Sequence, residues 1–347
     1  MKWNKKDDVL ALMVGHGTMT NGKWDPGAAY GKYTEAALML PIVKVAVKKL
    51  RQSGVRVLTD ADKGNNRNMI SSVAWANKNK CKLYMSVHCD YKDATPGVAP
   101  LYKTSAGKEF TTTVGKKVAK LMDMKWKGAF KRTDLHELNA TDMPAVIFET
   151  GAIKADLKYL KDYKKYGRSL AKAICAYLGV KYYVKPKSQK LADMAKKLAY
   201  GTAAKAKAKY PSGSPTPEYK KALNKVFPDR KKWGPAPRKG ASCDVFIGTV
   251  VRSSGVDKKF PRALGTDYSY LEASKKFKKV KVTKVKDLKD GDIIIYKRTN
   301  GKGHICMFVG GKIKHAAYNK WYPRTQKCAA KMLDTKGKKF VRVYRAK

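Results

Sequence analysis

Short apolar runs alternate with longer amphipathic segments in the first half of the chain. Val9 to Val14 is an almost uninterrupted apolar run, long enough for a buried strand and too short for a helix of its own. It stops at Gly15-His16-Gly17, where two glycines allow a sharp turn and leave the imidazole at the carboxyl end of the strand. In an open α/β sheet, that edge is where ligands bind.

The same alternation continues to about residue 183. A helical pattern begins after Thr34, with Leu38, Ile42 and Leu50 on one face and Gly54 as its stop, and Pro41 stands where it can kink the helix. Further strands are predicted at residues 55–58, 83–88 and 145–148, and further helices at 66–77, 105–124 and 157–178. Strands alternating with helices predict an N-terminal α/β domain over residues 1–183, with a mostly parallel sheet flanked by helices.

The pattern changes after residue 183. Residues 184–190 are predicted to be a linker, and residues 191–347 to be a second domain. Its first half has helical segments at 189–209 and 218–226, separated by a loop rich in proline and glycine. An apolar helix then begins near Ser242, and β-type runs follow at 292–296, 305–309 and 312–315. A helix followed by a strand meander predicts an α+β domain.

The charge is extreme and spread along the whole chain. There are 76 basic and 27 acidic residues, for a net charge of +49. A nucleic-acid binder is the first class that such a charge suggests, and attraction to anionic bacterial wall polymers is another. Solubility is a third explanation, and charge alone does not decide among them. Because no nucleic-acid motif is recognisable, we do not expect nucleic acid as a partner, and anionic wall polymers stay the expected one.

The sequence shows no recognisable signal for membrane insertion or for secretion. No segment approaches the apolar length of a membrane span, and the basic amino terminus is followed by an apolar run of only six residues without a small-residue cleavage site. We therefore expect synthesis in a cytoplasm and another exit route for any work outside it. The six cysteines have no paired CxxC spacing, so most are expected to be reduced.

Three residues in the first domain form a candidate metal site. His16 and His88 each follow an apolar run, and Glu35 opens the long helical pattern. Two histidines and one carboxylate make a set of three ligands that leaves a fourth zinc position open for water. Taken singly, each has a structural explanation, such as a tight turn at His16 or a favourable first-turn carboxylate at Glu35.

This segment resembles the zinc-dependent N-acetylmuramoyl-L-alanine amidases over roughly residues 8–180. The resemblance is carried by Gly15-His-Gly17, Glu35, Ser86-Val-His-Cys-Asp90 and Met143-Pro-Ala-Val-Ile-Phe-Glu149. It implies Zn²⁺ on His16, Glu35 and His88, with Glu149 as the catalytic acid and base. The roles of three further residues stay open. Asp90 and His136 could contact the substrate or the ligands, and His136 could equally be a surface residue. Cys89 could be an apolar filler or an extra ligand.

A second candidate site lies in the second domain. Cys243 opens a helix, where the positive end of the dipole is expected to favour the thiolate, and His304 and His315 lie on two successive strands. A thiolate, a general base and an orienting polar residue make a cysteine-nucleophile site. Alternatively, Cys243 is a buried helix residue, and Cys306 and Cys328 are expected to be structural or incidental.

Residues 240–320 resemble the NlpC-type and CHAP-type peptidases, which have papain-like folds and cut peptidoglycan stem peptides. The Gly291-Asp292 strand supports the match, whereas Ser242-Cys-Asp244 departs from the Asp-Cys-Ser-Gly of many NlpC-type members. The whole chain is similar to phage endolysins, which implies storage in the host cytoplasm, release by a holin and action on peptidoglycan. The alternatives are an autolysin or spore-cortex hydrolase, and a cationic binding protein on a decayed hydrolase fold.

Overall fold

A computed structural model describes residues 2–62, 66–201, 215–229, 242–261, 264–316, 323–327 and 332–347. The chain divides into two compact units, a first unit of Met1–Val184 and a second unit of Lys185–Lys347. Among the described residues, no helix combines the length and the apolar character that crossing a membrane requires.

The first unit contains ten strands and six helices within its described part. The strands are β1 (Val9–Val14), β2 (Gly17–Thr18), β3 (Trp24–Asp25), β4 (Ala29–Tyr30), β5 (Tyr33–Thr34), β6 (Arg56–Leu58), β7 (Leu83–Asp90), β8 (Leu101–Tyr102), β9 (Phe130–Lys131) and β10 (Ala145–Ala152). The helices are α1 (Glu35–Gln52), α2 (Met69–Lys78), α3 (Ser105–Met122), α4 (His136–Asn139), α5 (Leu157–Lys161) and α6 (Tyr163–Tyr177).

Six of these strands form one sheet in the order β6-β1-β7-β10-β8-β9. The first four are mutually parallel, and β8 runs antiparallel to β10. The apolar run predicted as a buried strand is β1, and its last five residues are buried. The prediction of an α/β domain with a mostly parallel sheet flanked by helices is therefore confirmed for the first unit.

Local signals set several helix ends. The Asn68 side chain accepts a hydrogen bond from the Ser71 backbone N–H at 2.9 Å, so α2 begins at Met69 rather than at residue 66. The buried face of α1 carries Leu38, Ile42 and Leu50, as the periodicity predicted, and the helix passes through Pro41 without ending.

Two strands run further than predicted, and one predicted helix is divided. β7 continues two residues past His88 to Asp90, and β10 continues past Glu149 to Ala152, so both residues lie within strands rather than at their ends. The segment 157–178 forms α5 and α6 instead of one helix. The Asp162 side chain caps α6 by accepting from the Lys165 N–H at 3.1 Å, which starts a new helix at that point.

The second unit has a different architecture. Its described helices are α7 (Lys187–Leu198), α8 (Pro217–Val226), α9 (Cys243–Ser253) and α10 (Leu264–Ala273), with a 3₁₀ turn at Val285–Asp287. Its strands are β11 (Phe277–Val280), β12 (Ile293–Arg298), β13 (Gly303–Val309), β14 (Lys312–His315), β15 (Arg324–Lys327) and β16 (Lys338–Ala346). α7 begins inside the segment predicted as a linker and ends at Leu198. Residues 202–209 of the predicted helical run lie outside the described part.

These strands form one antiparallel sheet in the order β11-β16-β12-β13-β14-β15. α7, α8 and α9 contribute apolar residues to a core that also contains Ile293 and Ile305 of the sheet. A second apolar cluster contains Ile294 and Cys306, the residues that follow Ile293 and Ile305 on the same two strands. The two clusters therefore lie on opposite faces of the sheet, because successive side chains of a strand point to opposite faces. The second unit is mainly a β-sheet with helices, and a papain-like fold stays a prediction.

Candidate metal centre and cysteine site

His16 lies immediately after β1, at the carboxyl edge of the parallel sheet. It adopts a left-handed backbone conformation with φ 63°, between two glycines. Gly15 is required for close approach, because a β-carbon there would lie 2.4 Å from Cε1 of His88. The turn predicted at Gly15-His16-Gly17 therefore brings two of the predicted ligands together.

Glu35 is the first residue of α1, and its side chain is almost fully buried. One carboxylate oxygen accepts from the Ala28 N–H at 3.0 Å, and the other accepts from the Cys89 N–H at 3.0 Å. Burial alone would raise the pKa of this carboxyl group, but its contacts with His16 and His88 hold the pKa well below its ordinary value. Glu35 is therefore an ionised group between the two imidazoles.

The three predicted ligands converge on one point. Nε2 of His16 lies 3.2 Å from Oε2 of Glu35, and Nδ1 of His88 lies 2.9 Å from Oε1. One donor atom from each residue can be chosen so that all lie within 4.8 Å of one another. The structure thus brings His16, Glu35 and His88 together as the sequence predicted.

Two carboxylates outside this set face the other ring nitrogens. Nδ1 of His16 donates to Oδ2 of Asp25 at 2.8 Å, and Nε2 of His88 lies 3.5 Å from Oε2 of Glu137. Because a carboxylate only accepts, the bond to Asp25 places a proton on Nδ1 of His16 and leaves Nε2 facing Glu35. The negative charge of Glu137 favours the proton on Nε2 of His88 by attraction, while at 3.5 Å this nitrogen has no hydrogen-bond partner among the described residues. Lone pairs of two imidazoles facing one carboxylate need a cation between them, and two nitrogens with one oxygen suit Zn²⁺.

Charge contacts also set the protonation of the histidines when no metal is bound. Burial alone would lower the pKa of His16, but the bonds to Glu35 and Asp25 raise it. For His88, burial is again opposed by Glu137 and Glu35, which raise its pKa well above the ordinary value. Without a metal, the surrounding carboxylates therefore favour the protonated form of both imidazoles more than burial alone would.

Glu149 stands beside this cluster on β10, in register with His88 on β7. The hydroxyl of the next residue, Thr150, donates to the His88 carbonyl at 2.7 Å and ties the two strands together. Oε2 of Glu149 is buried and has no hydrogen-bond partner within the described part of the chain. Burial is the main cause that raises the pKa of Glu149 to about 8.

The other predicted residues of the first unit lie elsewhere. Asp90 ends β7, with Oδ2 3.9 Å from Nζ of Lys127. The Cys89 side chain is buried in the apolar core, so the filler alternative describes its position. His136 is exposed at the start of α4, and the structure brings its neighbour Glu137 to His88 instead.

Sequence reasoning missed Asp25 and Glu137. Asp25 ends the short strand β3, and only the Asp25-Pro26-Gly27 turn could have drawn attention to it. A β-carbon on Gly27 would lie 2.4 Å from Cδ2 of His16, which marks this turn as packed against the site. Glu137 gives no local signal, since it belongs to a short helix of four residues.

A cleft of about 170 Å³ opens beside the cluster. Gly15, His16, His88 and Glu137 line its inner part. Met69 and Ile70, at the start of α2, line the cleft and are about half exposed. The candidate metal centre is thus reachable from outside through a cleft with an apolar side.

In the second unit, Cys243 is the first residue of α9 and lies against β13. Its side chain is half-buried and packs against the core that contains Ile305, the residue after His304. Burial, and next the carboxylate of Asp244, raise the pKa of Cys243 to about 12. Burial and Asp244 therefore favour the thiol form of Cys243, which runs against the expectation that the helix dipole favours the thiolate.

His304 and His315 face each other across neighbouring strands. Their ring centroids are 5.1 Å apart in an edge-to-face arrangement. Burial lowers the pKa of His304 to about 3 and that of His315 to about 4, and in both cases Arg324 lowers it further. The structure thus brings His304 and His315 together as neutral imidazoles, and Cys243 packs against the core of the same unit. Cys306 is buried in a separate cluster, and Cys328 lies outside the described residues.

Comparison with known proteins bears on the first unit. Residues 10–182 match the family model described as N-acetylmuramoyl-L-alanine amidase. The solved structures that resemble this chain include the amidase AmiC2 of Nostoc punctiforme (22% identity, TM-score 0.45, 50% of this chain and 98% of that one). A second is the catalytic domain of the amidase CwlV from Paenibacillus polymyxa (22% identity, TM-score 0.42, 50% of this chain and 99% of that one). A third is the catalytic domain of an endolysin targeting Clostridia difficile (18% identity, TM-score 0.42, 49% of this chain and 97% of that one). No curated protein matches.

Proposed function

Since residues 10–182 form a domain of the N-acetylmuramoyl-L-alanine amidase family, we propose that this chain is a zinc-dependent hydrolase of the amide bond between N-acetylmuramic acid and L-alanine in peptidoglycan. The observation that carries the zinc part of the proposal is the convergence of one nitrogen of His16, one nitrogen of His88 and the Glu35 carboxylate within 4.8 Å. The outer nitrogen of each ring faces a further carboxylate.

The groups around this point have different roles in amide hydrolysis. A bound Zn²⁺ supplies a Lewis acid and lowers the pKa of water. Glu149 takes the proton of the attacking water and delivers it to the nitrogen of the leaving amine. Its Oε2 is available for this transfer, because it has no hydrogen-bond partner among the described residues. The cleft beside the cluster admits the substrate.

The second unit is proposed to carry a cysteine peptidase site. Cys243 is the nucleophile, His304 the general base and His315 the residue that orients His304. Because both partners are neutral here, the proton passes from the thiol to His304 as the thiol attacks a peptide carbonyl. The thioester acyl-enzyme forms as the C–N bond breaks, and His304 gives the proton to the leaving amine. Water then hydrolyses the thioester, which releases the carboxylic acid and restores the thiol. The supporting observation is the edge-to-face contact of the two histidines beside β13.

The natural role that unites both sites is that of a phage endolysin. In this proposal the enzyme accumulates in the host cytoplasm, a holin releases it, and it cuts the wall at two kinds of bond. An autolysin or a spore-cortex hydrolase would use the same chemistry. The experiment that tests the chemistry digests purified peptidoglycan with wild type, His88→Ala and Cys243→Ser, and identifies the new ends by mass spectrometry.

Each outcome of that digestion has a clear meaning. If His88→Ala alone stops release of L-alanine amino termini, the amidase site stands. If Cys243→Ser alone removes a different cut, the cysteine site stands as well. A variant that cuts as wild type does would contradict the role of its residue. Absence of both ends with wild type and added zinc would favour a cationic binding protein on a decayed hydrolase fold.

The positive charge is proposed to bind anionic wall polymers. Within the second unit, a groove of about 950 Å³ is lined by Lys197, Lys221, Lys225, Arg252 and Lys258, with Glu218 as the acidic residue among its lining. Adhesion to whole cells should fall steeply with salt. Reversing Lys221 and Lys225 to Glu should weaken adhesion more than reversing the exposed Lys278 and Lys284, which changes the net charge equally. If the two double variants lose the same amount of adhesion, the wall polymers bind outside this groove.

A further inference from the structure

Glu137 is a buried carboxylate with an unusual position beside the candidate metal centre. It belongs to α4, and its side chain is 6% exposed. One oxygen accepts from the hydroxyl of Tyr84, itself fully buried on β7, at 2.7 Å. The other oxygen lies 3.5 Å from Nε2 of His88. A buried charge is stable only with partners, and these two contacts supply them.

The His88 ring is held between two carboxylates on opposite sides. Nδ1 faces Glu35 at 2.9 Å, and Nε2 faces Glu137. The His16 ring has the same arrangement, with Glu35 on one nitrogen and Asp25 on the other. The two arrangements differ in burial, since the Asp25 side chain is 41% exposed whereas that of Glu137 is 6% exposed. The Asp25 contact is the shorter, a hydrogen bond of 2.8 Å, whereas the Glu137 contact at 3.5 Å is shielded from water, where attraction between charges is stronger at a given distance.

We propose that Glu137, held in place by the Tyr84 hydroxyl, positions His88 as a metal ligand. Its carboxylate keeps the proton on Nε2 and sets the plane of the ring, so that the lone pair of Nδ1 points to the side of Glu35. This inference rests on the proposed zinc-dependent function. Glu137 is a positioning residue in this account, because it acts through His88.

The cleft position of Glu137 suggests a competing role, since this residue also lines the cleft beside His88. There it could act on the substrate directly as a second proton acceptor. The two roles differ in what they predict for the protein without substrate. A positioning residue changes zinc affinity, whereas a group that acts only on the substrate changes kcat and leaves zinc affinity as it was.

The experiment measures the zinc dissociation constant of the full chain by competition with a chelator. The variants are Glu137→Gln, which keeps the shape and removes the charge, and Tyr84→Phe, which removes only the hydroxyl. His136→Gln is the matched control, because it changes the adjacent, exposed residue of the same helix. Loss of such an outer carboxylate typically weakens metal binding by about 10- to 100-fold.

We expect Glu137→Gln to weaken zinc binding to that extent, Tyr84→Phe to weaken it less, and His136→Gln to match wild type. Thermal unfolding of the metal-free proteins shows that each variant is folded, and Tyr84→Phe keeps the test valid if Glu137→Gln does not fold. Wild-type zinc affinity in both folded variants would overturn the inference alone. Failure of wild type to bind zinc would overturn the proposed metal-dependent function as well.

Discussion

A β-carbon on Gly27 would stand 2.4 Å from Cδ2 of His16 and 2.7 Å from Oε2 of Glu35. The glycine also has φ +68°, a conformation that disfavours other residues. The loop between β3 and β4 therefore packs directly onto two of the proposed metal ligands, and its backbone leaves no room for a side chain.

Gly27→Ala should consequently disturb the ligand set. The left-handed conformation costs about 1 kcal/mol in stability, and displacement of the His16 ring should weaken zinc binding by about tenfold or more. Gly31→Ala is the control, because Gly31 has φ +57° and no atom within 4 Å of the added carbon. Chelator competition and thermal unfolding measure both effects. Equal zinc affinities in the two variants would show that the contact with His16 does not matter.

Glu149→Gln should separate catalysis from metal binding. An amide cannot take the proton of the attacking water, so kcat for amide hydrolysis should fall by about 10²- to 10⁴-fold. Because Oε2 has no hydrogen-bond partner among the described residues, the substitution breaks no bond there, and zinc affinity should stay at the wild-type value. Asp142→Asn, at an exposed position, controls for the loss of a negative charge. Retained amidase activity in Glu149→Gln would assign the proton transfer to another group.

Acid should destabilise the second unit through its two neutral histidines. The pKa of His304 is lowered to about 3 and that of His315 to about 4, whereas an unfolded histidine titrates near 6.5. The unfolded chain therefore binds more protons, and stability present above about pH 6.5 is lost as the pH falls towards about 4.

The size of this effect is about 1.4 kcal/mol per histidine for each pH unit in that window. Denaturant unfolding of wild type and His315→Gln at pH 7.5 and pH 5 measures it. The variant lacks one titrating group, so it should lose less stability between the two pH values. The same pH dependence in both proteins would mean that His315 is protonated in the folded state.

The thiol of Cys243 should react slowly at neutral pH. Its pKa is raised to about 12 by burial and by Asp244, so alkylation by iodoacetamide should rise about tenfold for each pH unit between pH 7 and pH 10. Asp244→Asn should lower the pKa and speed the reaction at a given pH. Mass spectrometry of the peptide that contains Cys243 follows the rate. A rate that is already constant from pH 7 upward would indicate a thiolate–imidazolium pair instead.

The sequence alone predicted the α/β class of the first unit and the convergence of His16, Glu35 and His88. Both depend on local signals: apolar runs of strand length, a Gly-His-Gly turn and a helix start. Since the carboxyl ends of parallel strands meet at one edge of a sheet, residues that follow such strands come together whatever the details of packing. The resemblance to the amidase family over this segment is confirmed by the match at residues 10–182.

Only the tertiary structure decided the surroundings of these residues. Glu137 reaches His88 across 49 positions of the chain, and nothing near Glu137 in the sequence indicates which way α4 turns. The same holds for Cys243, where the sequence showed a helix start but not the burial that raises the thiol pKa. Local sequence determines the conformation of the backbone, whereas the pKa and the partner of a side chain depend on what packs against it from distant parts of the chain.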